Sequence, residues 1–340
     1  MLDSIVSSGF VPDFILRSGI RRLLKERLKE IAPQPPSSLA EAKKKFVDMM
    51  KASPLAVQTR DANEQHYEVP TEFYLYALGP NLKYSCAYFD AEEDLGTAEI
   101  KMLERTVSMA KIQPGDKVLE LGCGWGSLTL FMAKKFPSCQ ITAVSNSATQ
   151  KQHIDNKAKE RGLNNVRIIT SDMNNFDIQE KFDRVVSVEM FEHMRNYQML
   201  LGKISSLLND KGTLFVHIFV HRTTPYLFEV KNDSDWMSKY FFSGGMMPSD
   251  DIFEYFQDKF KLVEHVRYNG VHYAKTSEEW LKNTDKNKAK IMEIFRKHYG
   301  EKESGKWLEY WRIFFMACAE LWKFDDGKEW FVSHYLLEKK

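Results

Sequence analysis

The sequence predicts an α/β protein: a Rossmann-like, doubly wound parallel sheet with a helical cap over the active site. Three observations predict it. From about residue 98, helical patterns alternate with short apolar runs, the pattern of consecutive βα units. One such run ends in a glycine-rich turn that opens a helix, in VLELGCGWGSLTLFMA (residues 118–133). Outside the alternation lie helical stretches too long to be simple connections, such as WLEYWRIFFMACAELWKF.

Taken in order, FILRSGIRRLLKERLKEIA spaces apolar residues three and four apart with basic residues between, which predicts an amphipathic helix. PQPPSS breaks it, and SSLAEAKKKFVDMMKAS restarts a helix from a serine cap. A less regular stretch runs from about 53 to 95. AEIKMLERTVSMAKI is then a helix, KVLELG a strand, SLTLFMAKKF a helix, QITAVS a strand and TQKQHIDNKAKERG a helix. VRIITSD and FDRVVSV are strands, MLLGKISSLL a helix and GTLFVHIFV a strand. KFKLVEHVRYNG and EWFVSHYLLEKK are two further strands, while residues 221–254 and 274–325 read as mostly helical. The expected organisation is an N-terminal helical cap region (1–97), a cofactor-binding core (98–220), and helical cap insertions with C-terminal strands completing the sheet (221–340).

Composition narrows the function classes. The 340 residues carry a net charge of +1, which leaves no electrostatic footprint for nucleic acid or an anionic membrane. No apolar run approaches the roughly 18 residues that suggest a membrane span. The N-terminus places acids and a proline where a signal peptide needs a basic head and an unbroken apolar stretch. Cys86, Cys123, Cys139 and Cys318 show neither CxxC spacing nor a zinc pattern, so no metal is expected. These features together predict a soluble, cytoplasmic protein. Exposed aromatics and the N-terminal helices offer a surface on which a homodimer can form.

The sharpest motif is the glycine loop. A strand ends at Glu120, and Gly122, Gly124 and Gly126 follow at alternate positions, allowing a tight turn and close approach of backbone to ligand. Dinucleotide enzymes use similar loops, but the third glycine of GxGxxG is absent here. The acid Glu120 stands before the glycines, suited to an amino acid's ammonium. The next strand ends in AVSNSATQ, where Asn146 and Gln150 suit ribose hydroxyls and no acid of the dinucleotide type is present. After the third strand, Asp172 and Met173 suit an adenine amino group and ring face. An ordered series of polar groups at the carboxyl ends of successive strands describes an S-adenosylmethionine (SAM) site, and hence a class I SAM-dependent methyltransferase sheet.

The fourth strand runs into VEMFEHMRNY (residues 188–197), where Val188 abuts the same edge and Glu189, Glu192 and His193 cluster. Amine methylation needs such groups. The attacking nitrogen must be neutral, yet an alkyl amine with a pKa near about 10 is mostly protonated at neutral pH. A carboxylate can hold the ammonium while a neighbouring base removes its proton. The alternative is a helix start whose acids complement the dipole, worth up to about 1 kcal/mol.

ELGCGWGSLTLFMAKKFP, VSNSATQKQHI, SDMNNFD and VEMFEHMRNYQMLLGKIS resemble the coclaurine N-methyltransferase family. These are plant alkaloid and amine N-methyltransferases related to cyclopropane fatty acid synthases. The resemblance continues through FFSGGMMPS, HYAKTSEEWL, YWRIFFMACAELW and EWFVSHYLL, over roughly residues 55–340. It implies that Glu192 orients the ammonium, that His193 accepts its proton and that Glu189 lies beside them. It implies an aromatic amine pocket of Tyr67, Phe241, Tyr310, Trp311 and Phe314, whose ring faces hold a cation at about 0.5–2 kcal/mol per contact. Tyr84 and Ser85 are expected to close over SAM. The related synthases act on lipid alkenes with a bound bicarbonate as base. Residues matching their bicarbonate ligands are Cys86, Glu192 and Tyr273, with Cys318 at a further cysteine-bearing position. The expected partner is a small-molecule amine such as a benzylisoquinoline or phenylalkylamine; the alternative acceptor is an unsaturated acyl chain.

Overall fold

Residues 9–33, 38–57, 69–91, 93–230 and 235–340 are described by the computed structural model. The chain enters through α1 (Asp13–Ile31) and α2 (Leu39–Ala52), followed by the short α3 (Thr71–Ala77) and α4 (Leu95–Met109). Sequence decides the second of these starts. Ser38 accepts from the Glu41 N–H while Glu41 reaches back to the Ser38 N–H, a reciprocal capping box. Asp94 caps α4 by accepting from the Thr97 N–H at 3.0 Å.

The alternating units follow as β1 (Lys117–Leu121), α5 (Ser127–Lys135), β2 (Gln140–Ser145), α6 (Ala148–Glu160), β3 (Val166–Thr170), β4 (Phe182–Val188), α7 (Tyr197–Leu207) and β5 (Leu208–His221). Then come β6 (Tyr226–Leu227), α8 (Trp236–Tyr240), β7 (Met246–Met247), β8 (Phe260–Tyr268), α9 (Val271–Lys286), α10 (Lys288–Tyr299), α11 (Glu301–Lys323) and β9 (Trp330–Lys339). Seven strands form one sheet in the order β3-β2-β1-β4-β5-β9-β8. The first five pair in parallel, and β9 runs antiparallel to both β5 and β8.

Period-2 alternation explains how the sheet is covered on both faces. Leu119, Leu121, Val185 and Leu214 pack with α2 and α7 through Val47, Met50, Leu200 and Ile204. Their neighbours Val118, Val186 and Phe215 pack with α4 and α5 through Leu103, Val107, Leu128 and Met132. Each such side chain contributes about 1.5–3 kcal/mol on burial. Strand order reverses between β1 and β4, so a crevice opens beyond their carboxyl ends. Over that edge sits an aromatic layer built from α3, α9, α10 and α11.

Residues 221–254 differ from the helical expectation. Among the described residues they hold β6, the five-residue α8, β7 and a 3-10 turn at Ile252–Tyr255. Aromatic and polar residues there, among them Tyr226, Phe228, Trp236 and Ser243, line the cavity through turns rather than a continuous helix. The acidic motif differs too. Phe191–His193 is a single 3-10 turn, and α7 begins only at Tyr197, capped by Asn196 accepting from the Met199 N–H. Glu189 and Glu192 therefore lie outside α7 and do not serve its dipole.

Candidate active site

A cavity of about 850 Å³ occupies the crevice at the carboxyl ends of β1, β2, β3 and β4. The glycine loop shapes one end of it. Gly122 and Cys123 both donate to the Val144 carbonyl at 3.0 Å, folding the loop across the end of β2. Gly122 (φ +81°) and Gly126 (φ +81°) adopt left-handed backbone conformations, and a Cβ at Gly126 would lie 2.7 Å from Ile154.

The polar strand-end residues fall along this edge. Glu120, Gly122, Gly124, Asn146, Gln150, Asp172, Met173 and Val188 all line the cavity, together with Tyr84 and Ser85. Ser145 and Ser171, at neighbouring strand ends, line it as well and were not singled out from sequence. Gln150 is oriented from inside, its Oε1 accepting from Ser145 Oγ at 2.6 Å. Glu120 is 2 % exposed, and Thr129 Oγ1 donates to its Oε2 at 2.5 Å. Burial pushes its carboxyl up to about 8. A buried carboxylate in that condition favours a cationic partner, which fits the ammonium of SAM above a glycine cradle.

At the end of β4 the chain turns sharply. Glu189 has φ +48°, a left-handed conformation costing about 1–3 kcal/mol at a non-glycine residue. The turn aims its carboxylate between Cys86, His217 and Tyr273. Oε1 accepts from the Cys86 N–H at 3.1 Å and lies 3.2 Å from His217 Nε2, while Oε2 accepts from Tyr273 Oη at 2.6 Å. Burial pushes the Glu189 carboxyl up to about 7, opposed by the Lys83 charge, the Tyr273 hydroxyl and the Cys86 N–H. His193 also lines the cavity, and burial lowers its proton affinity against the opposing charge of Glu189.

Glu192 does not join them. It is 1 % exposed and absent from the cavity wall. Its Oε1 accepts from the Phe219 N–H at 2.9 Å, and no hydrogen bond is recorded for Oε2 among the described residues. Burial, with the nearby Glu189 charge, raises its carboxyl well above the usual range. Of Cys86, Glu192 and Tyr273, the structure brings Cys86 and Tyr273 together on Glu189 and not on Glu192, because the left-handed turn points residue 189 inward and residue 192 back toward β5.

Lys83, which the sequence reading passed over, is a further charged group on the cavity wall. It is 3 % exposed, and its Nζ donates to Ser85 Oγ at 2.5 Å. Only its adjacency to the Tyr84–Ser85 pair could have drawn attention to it.

The cap presents a different aromatic set from the one expected. Phe314 and Tyr273 line the cavity, and Tyr273 stacks on Trp322 at 4.7 Å. Phe241, Tyr310 and Trp311 are fully buried behind that wall and do not line it. Phe241 stacks on the back of Phe314 at 4.4 Å and meets Trp311 at 5.1 Å. The helical period of α11 decides this. Ile313, Ala317, Cys318 and Leu321 face the cavity, whereas Tyr310 and Trp311 turn toward the aromatic core. Tyr67 lies outside the described residues. Helix α1 closes the opposite side through Leu16, Gly19, Ile20 and Leu24, held by Arg17–Glu278 (2.6 Å) and Arg27–Asp235 (2.6 Å) ion pairs.

A glycine cradle, a row of polar strand ends and a buried acid under an aromatic cap define a class I SAM-dependent methyltransferase. Residues 56–328 match the family model for mycolic acid cyclopropane synthetase. The chain is 40 % identical over 340 residues to (S)-coclaurine N-methyltransferase of Papaver somniferum, covering 98 % of this chain and 96 % of that one. It is 37 % identical over 337 residues to the same-named enzyme of Thalictrum flavum subsp. glaucum, covering 98 % and 93 %. A crystal structure of coclaurine N-methyltransferase bound to N-methylheliamine and SAH superposes with a TM-score of 0.96 at 36 % identity, covering 99 % of both chains. The cyclopropane synthase MmaA2 of Mycobacterium tuberculosis shares the fold, with a TM-score of 0.71 at 22 % identity over 84 % of this chain and all of that one. The chain belongs to the coclaurine N-methyltransferase family and is a SAM-dependent N-methyltransferase.

Proposed function

We propose that this enzyme methylates the nitrogen of a small aromatic amine of the benzylisoquinoline or phenylalkylamine class, in the cytoplasm. Glu189 holds the ammonium and His193 accepts its proton. The observation that carries the reading is the Glu189 carboxylate, held by the Cys86 N–H and the Tyr273 hydroxyl beside His217 at the junction between the polar strand ends and the aromatic wall. Relatives named for coclaurine, pavine and tetrahydroprotoberberine act on alkaloid amines by those names, which supports the substrate class. In the described residues no helix is long and apolar enough to cross a membrane, and all four cysteines are free, which suits a reducing compartment.

SAM, when bound along Glu120, Asn146, Gln150 and Asp172, supplies an electrophilic methyl group. The chain's residues prepare the nitrogen. Ionised Glu189 pairs with the incoming ammonium and fixes its direction. His193, kept neutral by burial, takes one N–H proton on its ring and leaves the lone pair free. The aromatic wall of Phe219, Phe228, Phe242 and Phe314 excludes water and covers the apolar body of the amine. The lipid-alkene alternative is less favoured. The Cys86 N–H and Tyr273 hydroxyl, groups matched to bicarbonate ligands in cyclopropane synthases, are engaged by the chain's own carboxylate.

A panel of amines with SAM, read by product mass, tests the acceptor class. Glu189→Gln should raise KM for the amine about tenfold or more, the value of a charged hydrogen bond. His193→Ala should lower kcat about 10²–10⁴-fold. Wild-type turnover by both variants would refute the assignment. With Glu189 near 7, kcat/KM should rise between pH 6 and 8 as the carboxylate ionises, and Glu189→Gln should lose that limb.

A further inference from the structure

Behind Glu189 a row of imidazoles runs away from the cavity and into the sheet. His217 on β5 and His334 on β9 are directly opposite each other in the antiparallel ladder. His334 Nε2 lies 2.8 Å from His217 Nδ1, and His217 Nε2 lies 3.2 Å from Glu189 Oε1. Both rings are fully buried, and neither lines the cavity. The methyl-transfer chemistry described above uses His217 only as a neighbour of Glu189 and gives His334 no part.

Charge and hydrogen bonding together restrict the protons in this row. Lys83, Tyr273, Cys86 and His193 face Glu189, with Glu192 and Cys318 also within its field. Lys83 faces both imidazoles, and Arg105 acts on His334, whose ring also packs against Tyr268 and Phe215. Burial and these cations keep both rings neutral, so each carries one ring proton. An ionised Glu189 needs a donor at His217 Nε2, so that proton sits on Nε2 and leaves Nδ1 bare. A bare Nδ1 needs a donor in turn, and His334 Nε2 is the group in reach. The row then ends at His334 Nδ1, for which no hydrogen bond is recorded among the described residues. An unpaired acceptor is the expected end of such a row, since an orphaned buried N–H is rarer than an under-satisfied acceptor. The opposite arrangement places protons on both Nδ1 atoms and a bare Nε2 against Glu189, and it suits only a protonated carboxyl.

We propose that His334 is a positioning residue for methyl transfer: its Nε2–H fixes His217 as the Nε2–H tautomer, which holds Glu189 as an ionised, oriented carboxylate for the ammonium. The proposal rests on the reading of Glu189 as the ammonium's partner. It also assigns a use to an otherwise costly pair of buried histidines, in the way a third residue orients the base of a catalytic triad.

Three variants and one spectrum test it. His334→Phe removes the donor in a site already lined by aromatic rings, and His334→Gln keeps an N–H to offer. The expected result for His334→Phe is a KM for the amine raised up to about tenfold at pH 7 with kcat little changed. The acid limb of kcat/KM should move up by as much as about one pH unit, because a carboxylate that loses a donor binds its proton more tightly. His334→Gln should restore most of both, and SAM affinity should stay at the wild-type value in each. A wild-type limb and KM in His334→Phe, with Glu189→Gln impaired, would overturn the role of His334 and leave that of Glu189 standing. A Glu189→Gln enzyme with normal KM would instead remove the reading beneath it. Should the Phe variant fail to fold, ¹⁵N spectra of histidine-labelled wild type at pH 8 decide the matter. Bare Nδ1 and protonated Nε2 on both rings are expected, and a proton on His217 Nδ1 would overturn the proposal.

Discussion

Cofactor binding should release a proton, and Glu120 should be its source. The residue is buried at the end of β1 with one side-chain donor, Thr129, and its carboxyl is pushed up to about 8 by burial. At pH 7 a group of that pKa is about nine-tenths protonated before ligand arrives. Bringing an ammonium alongside favours the ionised form and returns the carboxyl toward its ordinary range. Each SAM bound should then expel close to one proton, roughly 0.8–0.9 at pH 7. The affinity for SAM should accordingly rise by up to about tenfold between pH 6 and pH 7, below the pH of about 8 where the α-ammonium loses its own proton, since one pKa unit is a factor of ten. Calorimetric titrations in two buffers of different ionisation enthalpy measure the released proton directly. Glu120→Gln is the control: it keeps a hydrogen-bonding side chain but has no proton to lose, so its binding heat should be buffer-independent and its affinity weaker. Buffer-independent heat in the wild type, or equal proton release in Glu120→Gln, would refute the assignment of this carboxyl to the ammonium.

Further outcomes follow from the same geometry. Glu192→Gln should keep methyl transfer within a few fold of wild type, because Glu192 is off the cavity wall and the amide can still accept from the Phe219 N–H; steady-state kinetics check this. Its carboxyl is raised in the folded state, so its contribution to stability is complete below the ordinary carboxyl range and declines as pH rises through the raised value. Wild-type stability relative to Glu192→Gln should therefore fall with rising pH in denaturant titrations, and a constant difference would count against it. Glu192→Ala, which strands the Phe219 N–H, should cost about 1–3 kcal/mol. Gly126→Ala should cost about 2–4 kcal/mol, combining left-handed strain with a Cβ 2.7 Å from Ile154. At Gly124 (φ +51°) an added Cβ meets nothing within 4 Å, so strain alone should act and the loss should be about 1 kcal/mol; thermal melts distinguish the two.

Much of this protein was legible in its sequence because the relevant signals are local. Strand-ending polar residues are spaced by the βα unit itself. Once the winding order is known, Glu120, Asn146, Gln150 and Asp172 have to arrive at one edge. The caps at Ser38 and Asp94 are likewise contained in four-residue windows. Aromatic spacing in α11 predicted a helix, but a helix rich in aromatics on every side gives no sign of which stripe is wall and which is core. Trp311 went to the core because Phe73, Tyr74 and Phe241 pack against it, and Tyr310 because Trp236, Tyr240 and Trp307 enclose it.

The sequence by itself determined the fold class, the edge on which the polar strand ends gather and the fact that acids and a histidine follow β4. Tertiary structure alone decided which acid faces the cavity. A left-handed residue at 189 and the placement of Cys86, His217 and Tyr273, drawn from positions 86 to 273, turned one carboxylate toward the cavity and left the other holding a backbone N–H. Two glutamates three residues apart carry the same chemistry on paper. What separates them is burial and the donors brought from distant strands and helices, and those exist only once the chain has folded.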